Sequence, residues 1–142
     1  MSAVPRPDVT APDSVFGRMA ELLDVRLDSE IDGYAERFHR TLHEDAPMLP
    51  SIDSEAVAAE RRYGERDAAA ALEGFAQARA RTLALIASLD EAALARPATF
   101  EGYGPTTMRG LVHFLCSHDQ QHLAGLQWLL GQLAAERARQ EA

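Results

Sequence analysis

The chain has 142 residues, of which 46% are hydrophobic, and its formal net charge is −8. This length fits one domain with a modest core, and the acidic balance argues against nucleic acid as a partner because phosphate recognition needs a basic footprint. All 14 basic residues are arginines, which excludes Schiff-base chemistry and a lysine general base. No apolar run reaches the ~18 residues of a membrane span, and the start lacks the apolar segment of a signal peptide. We therefore expect a cytoplasmic protein with no membrane partner.

The N-terminal third predicts an arm followed by a long helix. Residues 1–12 carry three prolines and little apolar content, so we expect a flexible arm, with one domain over residues 13–142. The helix should run from about residue 13 to 44, because apolar residues recur at helical spacing: Phe16, Met19, Leu23, Leu27, Ile31, Tyr34, Phe38 and Leu42. His39 and His43 fall opposite this stripe and are interpreted as solvated.

The remaining pattern also predicts helices. Asp53 should cap a short helix over about 54–62, and Asp67 should cap a second long helix that reaches about residue 90. The apolar stripe of that second helix comprises Ala68, Leu72, Phe75, Ala76, Leu83 and Ile86. A short turn near 91–94 and a segment rich in glycine and proline at 98–105 follow. Thr106 or Thr107 should then cap a last helix that frays from residue 134. No alternating strand pattern is present, which predicts an all-α bundle of three long helices and one short helix.

His118 and His122 stand four residues apart in the last helix, so both imidazoles point the same way. They share one stripe with apolar neighbours: Leu111, Leu115, Leu129 and Leu133. Two titratable rings on an apolar face are costly unless something uses both. The pair therefore predicts a metal site or a polar site facing the bundle interior. Cys116 projects away from this stripe and is interpreted as a partly buried, inert thiol.

Two charged residues fall on otherwise apolar stripes. Glu30 lies between Leu27 and Tyr34 on the first long helix, and Arg79 lies on the second. Because charges are rarely buried unless paired, one interpretation is an ion pair between Glu30 and Arg79. The alternative makes Glu30 a third metal ligand beside His118 and His122, which would leave an open position of the kind that catalytic metals keep.

Two stretches of this sequence resemble the DinB/YfiT-like superfamily. Residues 101–112, leading into the histidines of 118–126, look like that family's final helix, and residues 27–50 are similar to its first histidine-bearing helix and the loop after it. The resemblance spans about residues 20–133. It implies a four-helix bundle, usually dimeric, with a divalent metal held by three histidines near one end. It also implies the activity of a thiol-dependent transferase, isomerase or hydrolase, with a small-molecule thiol as a partner.

The sequence departs from this family at the third ligand and at its start. The remaining family histidine should fall near Val25 or Arg26, which cannot bind a metal, so a carboxylate would have to replace it: Glu30, Asp24, Asp28 or Glu21. We therefore predict that zinc or nickel is held weakly or is absent. The family's leading helix is also missing, which predicts a homodimer that covers the exposed face of the first long helix and includes Trp128. A non-catalytic dimeric bundle that has lost metal chemistry is the alternative.

Overall fold

The structure, a computed structural model, describes residues 33–52, 60 and 67–142. Within this part of the chain the elements are α1 (Glu36–His43), β1 (Met48–Leu49), α2 (Ala68–Ala87), α3 (Glu91–Leu94), β2 (Pro97–Phe100), β3 (Gly104–Thr107) and α4 (Met108–Glu141). The predicted arm, the start of the first long helix and all but residue 60 of the short helix at 54–62 lie outside the described residues. None of the helices that the structure describes is long and apolar enough to cross a membrane.

Side-chain caps start three of the helices where the sequence predicts. Asp67 accepts hydrogen bonds from the backbone N–H groups of Ala69 and Ala70 at 2.9 and 3.3 Å, which opens α2. Thr107 accepts one from the N–H of Gly110 at 3.2 Å, which opens α4. The predicted turn near 91–94 is α3, capped by Asp90. The predicted fraying of the last helix is wrong, because α4 continues to Glu141 through residues with good helix propensity.

A small three-stranded sheet joins the loop after α1 to the segment before α4. β1 lies parallel to β2, with Met48 opposite Thr99, and β2 pairs antiparallel with β3. The hairpin turns at residues 101–103 and uses left-handed backbone at Gly102 and Gly104, with φ of 84° and 91°. The sequence pattern did not predict this sheet, because strands of two to four residues are too short to show an alternation.

The core lies between α1, the sheet and α4. Its fully buried side chains include Phe38, Leu49, Met108 and Leu111. Leu115 and Leu129 are also buried, which confirms the predicted inward stripe of the last helix. Cys116, the next residue after Leu115, is exposed, so its predicted partial burial is wrong. One step along a helix rotates a side chain by ~100°, and here that turns the thiol out of the core.

The buried face of α2 differs from the predicted stripe. Ala71, Ala78 and Thr82 are buried, whereas Leu72 and Leu83 are 52% and 56% exposed. The helix is therefore rotated so that small side chains face the protein and two leucines face outward. A helix this rich in alanine has a weak amphipathic preference, so the packing of its neighbours sets its rotation.

Arg96, the residue before β2, forms hydrogen bonds with the C-terminal end of α1. Its guanidinium donates to the backbone carbonyls of Thr41 at 2.7 Å and Glu44 at 2.9 Å. These carbonyls belong to the last turn of the helix and the residue after it, where the partial negative charge of the helix dipole favours a cation. Arg96 thereby fixes the position of α1 against the sheet.

We expect Arg96→Ala to lower the free energy of unfolding by about 2 kcal/mol, because two charge-assisted hydrogen bonds and a favourable helix-end charge disappear together. Urea denaturation monitored by circular dichroism measures the change. The control is Arg109→Ala, since Arg109 is half-exposed and pairs with a more exposed Glu91; it should shift stability by less than about 1 kcal/mol. Equal losses for both variants would contradict the role of Arg96.

Candidate metal and ligand site

His118 and His122 meet on the inner side of α4. Their Nε2 atoms are 3.0 Å apart, within hydrogen-bond distance of each other, and their ring centroids are 4.3 Å apart, with 65° between the ring planes. Both residues are half-buried, and the His118 ring lies 5.4 Å from that of Tyr34, two residues before the start of α1. The His118 ring thus lies on the side of α4 that faces Tyr34, and the predicted role of the pair as ligands stays a prediction. His39 and His43 are exposed, as predicted, although their rings are also close at 4.5 Å.

The spacing of the two Nε2 atoms suits a shared metal ion. Two nitrogen ligands at 2.0 to 2.1 Å from a tetrahedral zinc lie roughly 3.3 Å apart, and the observed separation is 3.0 Å. Neutral imidazoles are common ligands for zinc, nickel and other borderline divalent ions. The donor pair therefore fits such an ion, as two of the three protein ligands that a catalytic site needs.

The third ligand is not found among the described residues, where no group of three or more histidine, cysteine or acidic side chains could hold a metal. Glu30, Asp24, Asp28 and Glu21 lie outside those residues, so their predicted role stays a prediction. The same holds for the predicted approach of Glu30 to His118 and His122.

Arg79 forms a bidentate ion pair with Asp119. The distances are 2.6 Å from Nη1 to Oδ2 and 2.8 Å from Nη2 to Oδ1, and the side chains are 19% and 30% exposed. The guanidinium also lies 5.1 Å from the centre of the Phe75 ring. The pair connects α2 to α4 at the residue that follows His118. Asp119 was not predicted as a site residue, although its place beside a candidate ligand histidine was the available signal. The predicted pair of Arg79 with Glu30 stays a prediction, since Glu30 lies outside the described residues.

A cavity of about 170 Å³ opens beside His118. Its walls include Tyr34, Arg37, Phe100 and Tyr103. The guanidinium of Arg37 lies 4.5 Å from the centre of the Phe100 ring and 5.0 Å from that of Tyr34. Phe100 in turn stacks on Tyr103, with 4.8 Å between centroids. The cavity therefore combines one cation, aromatic walls and one of the two candidate metal ligands.

Burial dominates the electrostatics of this cavity. It lowers the pKa of the Arg37 guanidinium, and it raises the pKa of the Tyr34 hydroxyl against the opposing effect of Arg37. Arg37 was not among the site residues predicted from the sequence. The signal was available: Arg37 follows Tyr34 by three positions, which places both on one side of a helix.

The chain belongs to the DinB superfamily, whose family model matches residues 13–126. The structure is similar to that of YfiT from Bacillus subtilis, a probable metal-dependent hydrolase with an unusual four-helix bundle topology. That likeness has a TM-score of 0.77 at 17% sequence identity and covers 91% of this chain and 75% of the other. It confirms the predicted helical bundle. No curated protein matches the chain significantly.

Proposed function

We propose that this protein is a metal-dependent enzyme of the hydrolase or thiol-transferase class, with His118 and His122 as two ligands of a divalent ion. The observation that carries the proposal is the 3.0 Å approach of their Nε2 atoms. Membership of the DinB superfamily and the likeness to a probable metal-dependent hydrolase support it. Zinc and nickel are the ions we consider, and Glu30 is the third ligand we favour.

In the proposed site each residue has a separate role. His118 and His122 hold the ion from one rigid helix, so their spacing is set by the helix and does not require a loop to order. The Arg79–Asp119 pair fixes α4 against α2 at the next residue, and the Tyr34 ring packs against His118. When bound, a divalent ion supplies Lewis-acid activation of a water or thiol nucleophile near neutral pH. The cavity beside His118 receives the substrate.

Metal titration of the full-length chain tests this proposal. The sequence predicts weak or absent metal binding, but the approach of the two Nε2 atoms leads us to expect zinc or nickel to bind at one ion per chain. His122→Ala should weaken that binding by about 100-fold, the upper end of the losses seen when a supporting residue of a metal site is removed. Isothermal titration calorimetry measures the affinity. The matched control is His43→Ala, which breaks an exposed pair with the same four-residue spacing.

Two results would contradict the proposal. Equal affinity loss in His122→Ala and His43→Ala would show adventitious binding to any pair of histidines. Undiminished metal binding in His122→Ala would place the ion elsewhere. Glu30→Gln then tests the third ligand: we expect affinity to fall by at least about tenfold, whereas no change would leave one of the other three carboxylates as the candidate.

A second candidate function is a non-catalytic binding or structural dimer. The observation that favours it is exposed apolar surface on two faces of α4: Leu123 and Leu130 are 57% and 45% exposed on one face, and Trp128 is 70% exposed on another. We propose that a second copy of the chain covers part of this surface and of the first long helix.

Light scattering at micromolar concentration tests the dimer. We expect a mass near twice 15.5 kDa, and Trp128→Asp should shift it towards the monomer because burying a charge in an apolar interface is unfavourable. Met48→Asp is the control, since Met48 is 61% exposed on the sheet. A wild-type protein that stays monomeric would refute the dimer.

A further inference from the structure

Arg37 is a buried arginine with few polar partners among the described residues. The residue is only 8% exposed, and the one hydrogen bond that its guanidinium makes to the described residues, from Nη2 to the carbonyl of Pro50, is long at 3.5 Å. No carboxylate of the described residues forms an ion pair with it; the ion pairs there belong to Arg40, Arg79 and Arg109. A guanidinium carries five N–H donors, so most of them have no partner among the described residues. No Arg37 nitrogen is both fully buried and unpaired, so the unpaired donors remain accessible to an anion that enters the cavity.

The surroundings of Arg37 form a cavity and not a closed core. Contacts with Tyr34 and Phe100 hold the guanidinium between aromatic rings, which offsets part of the desolvation cost and keeps its donors in a fixed plane. The same two rings, together with Ser51, Tyr103 and His118, line the cavity that the guanidinium borders. A ligand in this cavity would therefore touch both Arg37 and a candidate metal ligand.

We propose that Arg37 binds the carboxylate of a small substrate in this cavity. A planar guanidinium matches a carboxylate in a two-point hydrogen-bonded geometry. One cation neutralises one negative charge, which favours a monoanion over a phosphate dianion. At about 170 Å³ the cavity is smaller than the ~300 to 1,000 Å³ of sites for drug-sized ligands. Its aromatic walls favour an acid with a flat apolar body.

That the bound acid is a substrate rests on the proposed function, because only the neighbouring metal site would make the cavity catalytic. The binding itself does not rest on it. A carboxylate held by Arg37 keeps one end of the molecule fixed and leaves the remainder near His118. The assignment therefore names a class of substrate for the hydrolase or transferase: a small organic acid that carries its reacting group away from the carboxylate.

The test uses benzoate as the probe, with benzamide as its neutral counterpart and inorganic phosphate as the alternative oxyanion. Calorimetric titrations are made on the full-length chain, with and without EDTA, so that a metal ion cannot hold the carboxylate. Arg37→Met is the informative variant, since replacing a buried charge by an apolar side chain of similar size is often neutral or stabilising. Arg109→Met is its surface control.

We expect benzoate to bind the wild type at least about tenfold more tightly than it binds Arg37→Met, and more tightly than benzamide binds the wild type. EDTA and Arg109→Met should change neither result. Thermal melting of Arg37→Met should match or exceed the wild type, and its metal affinity should be unchanged. If Arg37 were purely structural, its replacement would not lower the affinity for benzoate while leaving the melting temperature unchanged.

Several outcomes would overturn the proposal. Absent benzoate binding, or equal binding of benzoate and benzamide, would show that the cavity does not recognise the charge. Loss of benzoate binding in EDTA would assign the carboxylate to the metal. Phosphate binding more tightly than benzoate would overturn the carboxylate assignment. A large fall in the melting temperature of Arg37→Met would make Arg37 structural. A chain that binds no metal but binds benzoate through Arg37 would refute only the proposed function.

Discussion

Phe38→Ala is expected to lower the free energy of unfolding by about 3 to 5 kcal/mol, the range for removing a buried aromatic ring from a core. Phe38 is fully buried, and its ring lies 6.1 Å from that of Tyr34, which borders the cavity. A loss of this size is a large share of the ~5 to 15 kcal/mol by which native domains are stable. Urea denaturation measures it.

The neighbouring residue supplies the control for Phe38. His39 is exposed on the same helix, so His39→Ala should change stability by less than about 0.5 kcal/mol. Phe38→Leu should fall between the two, because it keeps most of the apolar volume. Similar losses for Phe38→Ala and His39→Ala would contradict the packing of α1 between the sheet and α4.

The second large effect concerns the ion pair beside the histidines. We expect Arg79→Ala and Asp119→Ala each to lower the free energy of unfolding by about 2 kcal/mol. This lies between the values for exposed and fully buried pairs, because both side chains are partly exposed. The double variant should lose about 1 kcal/mol less than the sum of the two, since either change alone already removes the bond. Thermal and urea melts of the four proteins provide this cycle.

Two comparisons test Asp119 and Glu30 separately as partners of Arg79. Additive losses for Arg79→Ala and Asp119→Ala would contradict a direct pair between them. Glu30→Gln, made in the wild type and in the Arg79→Ala background, tests the predicted pair with Glu30. An effect that vanishes when Arg79 is absent would support that pair, and an unchanged effect would favour an independent role for Glu30.

The structural features that the sequence predicted well depend on single side chains or on the periodicity of one helix. Asp67 and Thr107 start their helices as predicted, because a capping oxygen needs only backbone N–H groups two or three residues away. The inward direction of His118 and His122 followed from their spacing to Leu111 and Leu115, since a regular helix fixes which side chains share a face.

What escaped prediction depends on contacts between distant parts of the chain. The β1–β2 pairing joins residues about fifty positions apart, and neither strand is long enough to show a recognisable sequence pattern. The rotation of α2 depends on its neighbours, because alanine at nine of its 20 positions gives the helix little preference of its own. Asp119 could be recognised as a partner of Arg79 only once α2 and α4 were placed side by side.

The sequence by itself thus determined the helical class, the helix starts and the histidine pair, because these depend on interactions within one or two turns. Only the tertiary structure placed Tyr34 against His118 and enclosed Arg37 between Tyr34 and Phe100. The cavity exists because α1, the hairpin and α4 converge at one point. Such convergence depends on packing between elements far apart in the chain, which periodicity along a single helix does not encode.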